Sequence, residues 1–194
     1  MQKIDIEIEN FIDKIQSSGT AIIPTDTIPG IACNAFDNDG VLKIFEIKNR
    51  VKTKPYAIFT YSTHWIAENC FITKEQLDYI TLLLPGAYTI VAKVKSKALI
   101  KNLSPLIIKD DIIGIRIPSN EVCLKASKLF TQGLIAATSV NLSGFEPAKD
   151  YKSMDSQVIN KVDFIFSETF FTNMSGKPST IIDITEPVLK ITQR

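Results

Sequence analysis

Between Glu46 and Phe59 the chain reads EIKNRVKTKPYAIF, and within seven positions it gathers Lys48, Arg50, Lys52 and Lys54 with no acid among them. Three of the 22 basic side chains are arginine, so Arg50 departs from a strong preference for lysine. A guanidinium offers a rigid fork of donors that grips carboxylate or phosphate through two parallel hydrogen bonds. The stretch therefore has the chemistry of an anion site. A second arginine, Arg116, sits in GIRIP among isoleucines. A charge there needs a partner, either an anionic ligand or one of the chain's own acids. Two more polar stretches follow apolar runs directly: PTDTIPG after Ile23, with Thr25, Asp26 and Thr27, and TSVNLSG after Ala137, with Ser139, Asn141 and Ser143. In open α/β sheets ligands lie in the crevice beyond strand ends, so these groups are candidate site residues. Each also has a plainer reading: an Asx or ST turn at Thr25 to Thr27, a polar turn at SVNLSG, a solvated face for the lysines.

Several familiar chemistries find no support. His64 is the single histidine, which removes a multi-histidine metal site and argues against a Ser-His-Asp triad. No GxSxG occurs. SGKPST, residues 175–180, contains Gly-Lys, but Phe171 stands where a phosphate loop needs its first glycine and Pro178 where Ser or Thr must follow the lysine. No GxGxxG follows a strand, so a bound nucleotide is held without either common glycine-rich loop. Cys33, Cys70 and Cys123 are odd in number and include no CxxC pair, which suits buried free thiols rather than a disulfide framework or a thiolate zinc site.

The elements that position these groups follow from periodicity. Ile8, Phe11, Ile12 and Ile15 mark one face of a helix that Gly19 is placed to end, and TAIIP predicts a strand. A second helix runs from Val41 to about Asn49, which puts the basic stretch at its C-terminal end, and YAIFT is a buried strand. Thr73 with Gln76 is a capping-box signal for a helix over KEQLDYITLLL, stopped at Pro85-Gly86. AYTIVAKV and IIGIRIP are strands, Ser119 is placed to cap a helix through EVCLKASKLF, and LIAAT opens onto the third polar loop. A weaker helix near MDSQVINKV and strands at DFIFS, TIIDI and VLKIT close the order. Alternation of helices and strands with a strand-rich tail predicts one α/β domain over residues 1–194, its open twisted sheet mixed parallel and antiparallel and flanked by helices. The length of 194 residues and 45% hydrophobic content suit such a domain, and a net charge of +1 is far from that of a dedicated nucleic-acid binder. No apolar run approaches a membrane span and the N-terminus lacks a signal-peptide core, so the expected location is cytoplasmic, with no membrane contact.

Read together, the loops resemble the threonylcarbamoyl-AMP synthases of the YrdC/Sua5 family. PTDTIPGIACNAFD resembles the family's PT(D/E)TVYGLG, IKNRVKTKPYAIF its KxRP segment, LLPGAYTIVAKV its WPGPxT, IGIRIPSNEV its VRxPxHP, ATSVNLSG its SANLSG, and KPSTIIDITEPVLK its STIxD. Six segments in the family's order cover nearly the whole chain. The resemblance implies condensation of L-threonine, bicarbonate and ATP, with Mg²⁺, to threonylcarbamoyl-AMP and pyrophosphate. That is the first step of making threonylcarbamoyladenosine beside the tRNA anticodon. It also implies a short form without the second domain of longer members. Such a form hands its product to a TsaB/TsaD/TsaE-like transferase complex and makes weak contact with tRNA. Metal ligands are not implied.

Carried over residue by residue, Lys48 and Arg50 would serve catalysis, and Lys48, Arg50, Lys54, Ser139, Asn141, Ser143, Ser179 and Lys190 would hold ATP. Thr25, Thr27, Phe59 and Arg116 would hold threonine, Arg116 through its carboxylate, and Thr180 lies beside Ser179 where the family closes its site. Pro29, Val51, Asn120, Val140 and Phe59 depart from the family's usual tyrosine, proline, histidine, alanine and histidine. Three rival readings remain. The hydrogenase-maturation carbamoyltransferases share the fold but are far longer, with zinc-finger cysteines absent here. An RNA-binding module of the same fold fits poorly with a nearly neutral chain. A nucleotide-binding paralogue without synthase activity keeps the same signature.

Arg50 lies in a polar segment with no acid between Ile47 and Phe59, so it is expected to be needed for catalysis rather than for folding. Arg50→Ala is expected to keep its melting temperature within a few degrees and to lose about 100-fold or more in threonine-dependent pyrophosphate release, the loss of a charge contact worth about 3 kcal/mol. Near-normal turnover in the folded variant contradicts this.

Overall fold

A computed structural model describes residues 2–49 and 56–193, so Arg50, Lys52 and Lys54 lie outside the described residues. Among the described residues, nine strands form one sheet: β1 (Ala21–Ile23), β2 (Gly30–Asn34), β3 (Ala57–Phe59), β4 (Tyr88–Lys93), β5 (Ile112–Arg116), β6 (Ile135–Ser139), β7 (Phe164–Ile165), β8 (Thr180–Asp183) and β9 (Lys190–Thr192). Their spatial order is β7-β1-β2-β6-β3-β5-β4-β8-β9. β1 with β7, β3 with β5 and β4 with β8 run parallel, while β1 with β2, β2 with β6, β3 with β6, β4 with β5 and β8 with β9 run antiparallel. The sheet is mixed and open, as the alternation of elements predicts.

The α-helices described are α1 (Lys3–Gln16), α2 (Asn38–Ile47), α3 (Thr63–Asn69), α4 (Lys74–Leu83), α5 (Lys97–Asn102), α6 (Glu121–Leu129) and α7 (Ser156–Ile159), and they flank the sheet. α1 buries Ile4, Ile8, Phe11 and Ile15, an i, i+4, i+7, i+11 stripe that packs on β1, β2, β7 and α6. Ser18 takes the left-handed turn after α1, with φ of 57°, rather than Gly19. Gly19 is required for a different reason, since a Cβ there would stand 2.5 Å from the Lys14 carbonyl oxygen.

α2 starts where the Asp37 carboxylate accepts from Asp39 N, lays Val41, Ile44 and Phe45 against the core, and delivers Lys48 as its C-cap. The Thr73–Gln76 capping box of α4 is present in both directions. α6 is capped by Asn120, whose side chain accepts from Cys123 N, and not by Ser119. Ser119 instead donates its backbone N–H at 3.0 Å to Asp26 Oδ2. β2 and α5 have no counterpart among the sequence expectations. All three cysteines are free and buried, and burial raises every thiol pKa, that of Cys70 to about 12.

Candidate active site

The cavity sits on one face of the central strands and has a volume of about 760 Å³, within the range of small-molecule sites. Its floor is a consequence of side-chain size. Ala57 of β3 lies opposite Gly114 of β5 and Ala137 of β6, and Gly114 lies opposite Val91 of β4. All four line the cavity. Three residues with no side chain beyond Cβ, in register on adjacent strands, keep the sheet face open where bulky residues would fill it. A Cβ on Gly114 would meet Thr89 Cγ2 at 3.4 Å and Ala57 Cα at 3.6 Å, ordinary contacts, so only a larger side chain would intrude.

Two residue pairs further along β3 and β5, and so on the same face of the sheet, Phe59 stands opposite Arg116. The Arg116 guanidinium carbon lies 5.8 Å from the Phe59 ring centroid, a separation at which a cation is attracted to the ring face. Arg116 Nη2 donates to Asp26 Oδ1 at 2.6 Å, and both side chains are about nine-tenths buried. Burial lowers the guanidinium pKa from its ordinary value, and Asp26 works against that shift. Arginine stays charged under such conditions. Of the two sequence alternatives for a partner, the internal acid is therefore in place. The ion pair leaves Arg116 Nε buried without an acceptor among the described residues.

The loop between β1 and β2 carries Asp26. Thr25 Oγ1 donates to Ile28 O at 2.8 Å and accepts from Thr27 N, so the turn reading of this segment is also correct. The hydroxyls of Thr25 and Thr27 stand 3.0 Å apart, buried and in the cavity wall. Residues 173–176 strap across this loop, with Ser175 N donating to Asp26 O and Gly176 N to Thr27 O. The same segment brings Pro178 and Ser179 into the wall, where Ser179 hydrogen-bonds the Thr89 hydroxyl at 2.7 Å.

The end of β6 and the loop after it also line the cavity, with Ser139, Asn141, Ser143 and Gly144. Lys48 is 1% exposed. Its ammonium donates to Ser139 O, and to Asn141 O and Oδ1, each at 2.8 Å, while its own carbonyl accepts from Ser143 N at 2.8 Å. Asn141 also accepts from the Ser139 hydroxyl and donates to Leu142 O and Phe145 O. Lys48 thus bolts the loop to the end of α2.

Thr25, Thr27, Lys48, Phe59, Arg116, Ser139, Asn141, Ser143 and Ser179 all line the cavity. Arg50 and Lys54 fall outside the described residues, although Lys48 and Tyr56, which bracket them, are both in the wall. Lys190 stands apart. It is exposed on β9, which pairs with β8 at the edge of the sheet, and is not in the lining. Thr180 begins β8 opposite Tyr88 and is likewise outside the lining. Sequence reasoning passed over Thr89, Asp26 as a partner of Arg116, and the small-residue floor. The last was open to view as Ala, Gly and Ala at cavity-facing positions of strands otherwise rich in isoleucine.

A family model covering Sua5, YciO and YrdC proteins, described as telomere recombination, matches residues 13–194. A Methanocaldococcus jannaschii protein provisionally named threonylcarbamoyl-AMP synthase is 31% identical over 92% of this chain and 81% of its own. The structure of Pyrococcus abyssi Sua5 complexed with L-threonine superimposes with a TM-score of 0.81 at 25% identity, covering 95% of this chain and 52% of that one. Escherichia coli YciO superimposes with a TM-score of 0.81 at 20% identity, covering 100% of this chain and 91% of that one. The chain thus spans about half the length of the P. abyssi protein.

Replacing Lys48 by methionine keeps most of the length of the side chain and removes the bolt. Lys48→Met is expected to cost about 3 kcal/mol, because carbonyls bonded to a charged donor are left unpaired, and to lower the melting temperature by roughly 6–12 °C. An unchanged melting temperature in differential scanning calorimetry contradicts the bolt.

Proposed function

Because the chain belongs to the Sua5/YciO/YrdC family, we propose that it is a threonylcarbamoyl-AMP synthase. It joins L-threonine, bicarbonate and ATP into threonylcarbamoyl-AMP with release of pyrophosphate. The observation that carries this reading is that one cavity gathers two chemically distinct sets of groups. Arg116, Phe59, Thr25 and Thr27 supply a buried cation, an aromatic ring and two buried hydroxyls, which suit a carboxylate and a hydroxyl on the same small molecule. Ser139, Asn141 and Ser143 add polar groups suited to a nucleotide, and Ser143 N donates to the carbonyl of Lys48, two residues before Arg50 in the sequence. A nucleotide held there shares the cavity with the amino acid.

The chemistry asks for alignment and charge neutralisation more than for covalent participation by the protein. The amine of threonine bonds to the carbon of bicarbonate, with loss of water, to give a carbamate. An anionic carbamate oxygen then attacks the α-phosphorus as the bond to pyrophosphate breaks. That oxygen carries no proton, so the second step needs no general base. The basic segment at 48–54 suits the charge on the departing pyrophosphate. Among the described residues no three His, Cys, Asp or Glu side chains gather to hold a metal ion. Mg²⁺ would therefore arrive on the triphosphate rather than in a cage built by the protein. The product is activated for transfer to adenosine in tRNA by a separate enzyme complex, and this chain's part in that is brief contact at most. Such work belongs in the cytoplasm, and among the described residues no helix is long and apolar enough to cross a membrane.

Mass spectrometry of a reaction holding only the purified chain, Mg²⁺, ATP, bicarbonate and L-threonine is expected to show threonylcarbamoyl-AMP and pyrophosphate. Neither tRNA nor another protein should be needed. Equal ATP consumption without threonine, or no adenylate with every substrate present, overturns the reading and leaves a nucleotide-binding protein of the same fold.

A further inference from the structure

We propose that Asp26 is a positioning residue for the amino-acid substrate, holding Arg116 in the cavity wall with its Nε left for a substrate acceptor. The inference rests on the reading that Arg116 receives a substrate carboxylate.

The geometry of the pair separates it from an ordinary internal salt bridge. A carboxylate satisfied by arginine alone takes two parallel bonds from the fork. Asp26 does not. Oδ1 accepts from Arg116 Nη2 at 2.6 Å, while Oδ2 accepts from the backbone N–H of Ser119 at 3.0 Å. One carboxylate is divided between a guanidinium and the chain leading into α6, so the fork is gripped at one nitrogen. The consequence is Arg116 Nε, buried and with no acceptor among the described residues. A buried charged donor left unmade is costly. It persists here beside a cavity that Arg116 lines and Asp26 does not. An acceptor supplied by a ligand completes the set.

Asp26 is itself held from several directions, as a positioning residue must be. Its carbonyl accepts from Ser175 N at 3.0 Å, and the next carbonyl, Thr27 O, from Gly176 N at 2.9 Å. Cys123 Sγ donates to Pro24 O at 3.0 Å, fixing the start of the loop against α6. On the far side the Phe59 ring backs the guanidinium. Arg116 is thereby fixed in orientation before substrate arrives, which spares the binding step the cost of ordering it.

The test is steady-state pyrophosphate release by the full chain with threonine and ATP varied separately, for Asp26→Asn, Asp26→Glu and Arg116→Lys. Asp26→Asn keeps the shape and loses the charge that grips Nη2. Its KM for threonine is expected to rise by about 10-fold or more, with the KM for ATP within about 2-fold. Asp26→Glu restores the charge on a longer arm and is expected to stay within about 3-fold of the parent for ATP while raising the threonine KM by an intermediate factor. If Asp26→Asn does not fold, as judged by thermal unfolding, the Glu variant decides alone, and an unchanged threonine KM overturns the proposal. A fall in kcat with both KM values unchanged, or an equal rise in both, also overturns it. Arg116→Lys separates the two claims. A raised threonine KM in Arg116→Lys with none in Asp26→Asn removes the positioning role only. No rise in Arg116→Lys removes the carboxylate assignment and the positioning role with it.

Discussion

A guanidinium nine-tenths buried beside an apolar sheet is the constraint around which this molecule is arranged. Taking a charge of that kind out of water costs several kcal/mol unless it is paired and hydrogen-bonded. Arg116 is therefore tied to Asp26, Asp26 to Ser119 and Ser175, and through them the β1–β2 loop, the entry to α6 and the strap at 173–176 are drawn to one point. None of these segments is regular secondary structure, and each needs a reason to hold one conformation. The ion pair supplies it, and the loops return the favour by excluding water from the pair. Function enters as what the pair leaves over, one buried donor with no acceptor among the described residues.

Lys48 applies the same physics with a different cation. It is buried as deeply as a core leucine, and its ammonium donates to oxygens of Ser139 and Asn141. Both cations, each held by oxygen acceptors, lie in the wall of a cavity floored by Ala57, Gly114 and Ala137. The sheet's register makes that floor, because β3, β5 and β6 place these three opposite one another. Larger residues at the same positions would give a well-packed core and no cavity. The site is an interruption in an otherwise complete core, lined where the interruption exposes polar loop ends.

Much of this was legible in the sequence, and the reasons differ by residue. Long periodic elements were plain: the α1 stripe and the Thr73–Gln76 capping box depend only on neighbours within one or two turns. β2 was not, because GIACN lacks alternation, being buried along four of its five residues. The cap of α6 was displaced by one residue since Ser119 and Asn120 are both capping types, and only the distant Asp26 decides which is used elsewhere. Six family-like segments in order pointed to the cavity walls, and nine candidate residues do meet there. Their individual roles were less legible. Lys48 reads in sequence as one more phosphate-facing lysine, whereas in the fold its ammonium is turned to the 139–141 loop. Lys190 matched by alignment of motifs, yet β9 lies at the sheet's edge. Sequence carries chemistry and order, but the direction in which a side chain is spent is set by contacts across 90 or more residues.

The central claim is that Arg116, held by Asp26, receives the amino-acid carboxylate through its unfilled Nε. A crystal structure of the chain with L-threonine tests this most directly. The account predicts a threonine carboxylate oxygen within hydrogen-bond distance of Arg116 Nε, with the Asp26–Nη2 and Asp26–Ser119 bonds still made. Threonine seated elsewhere in the cavity, or an Arg116 side chain that leaves Asp26 to meet it, would contradict the account.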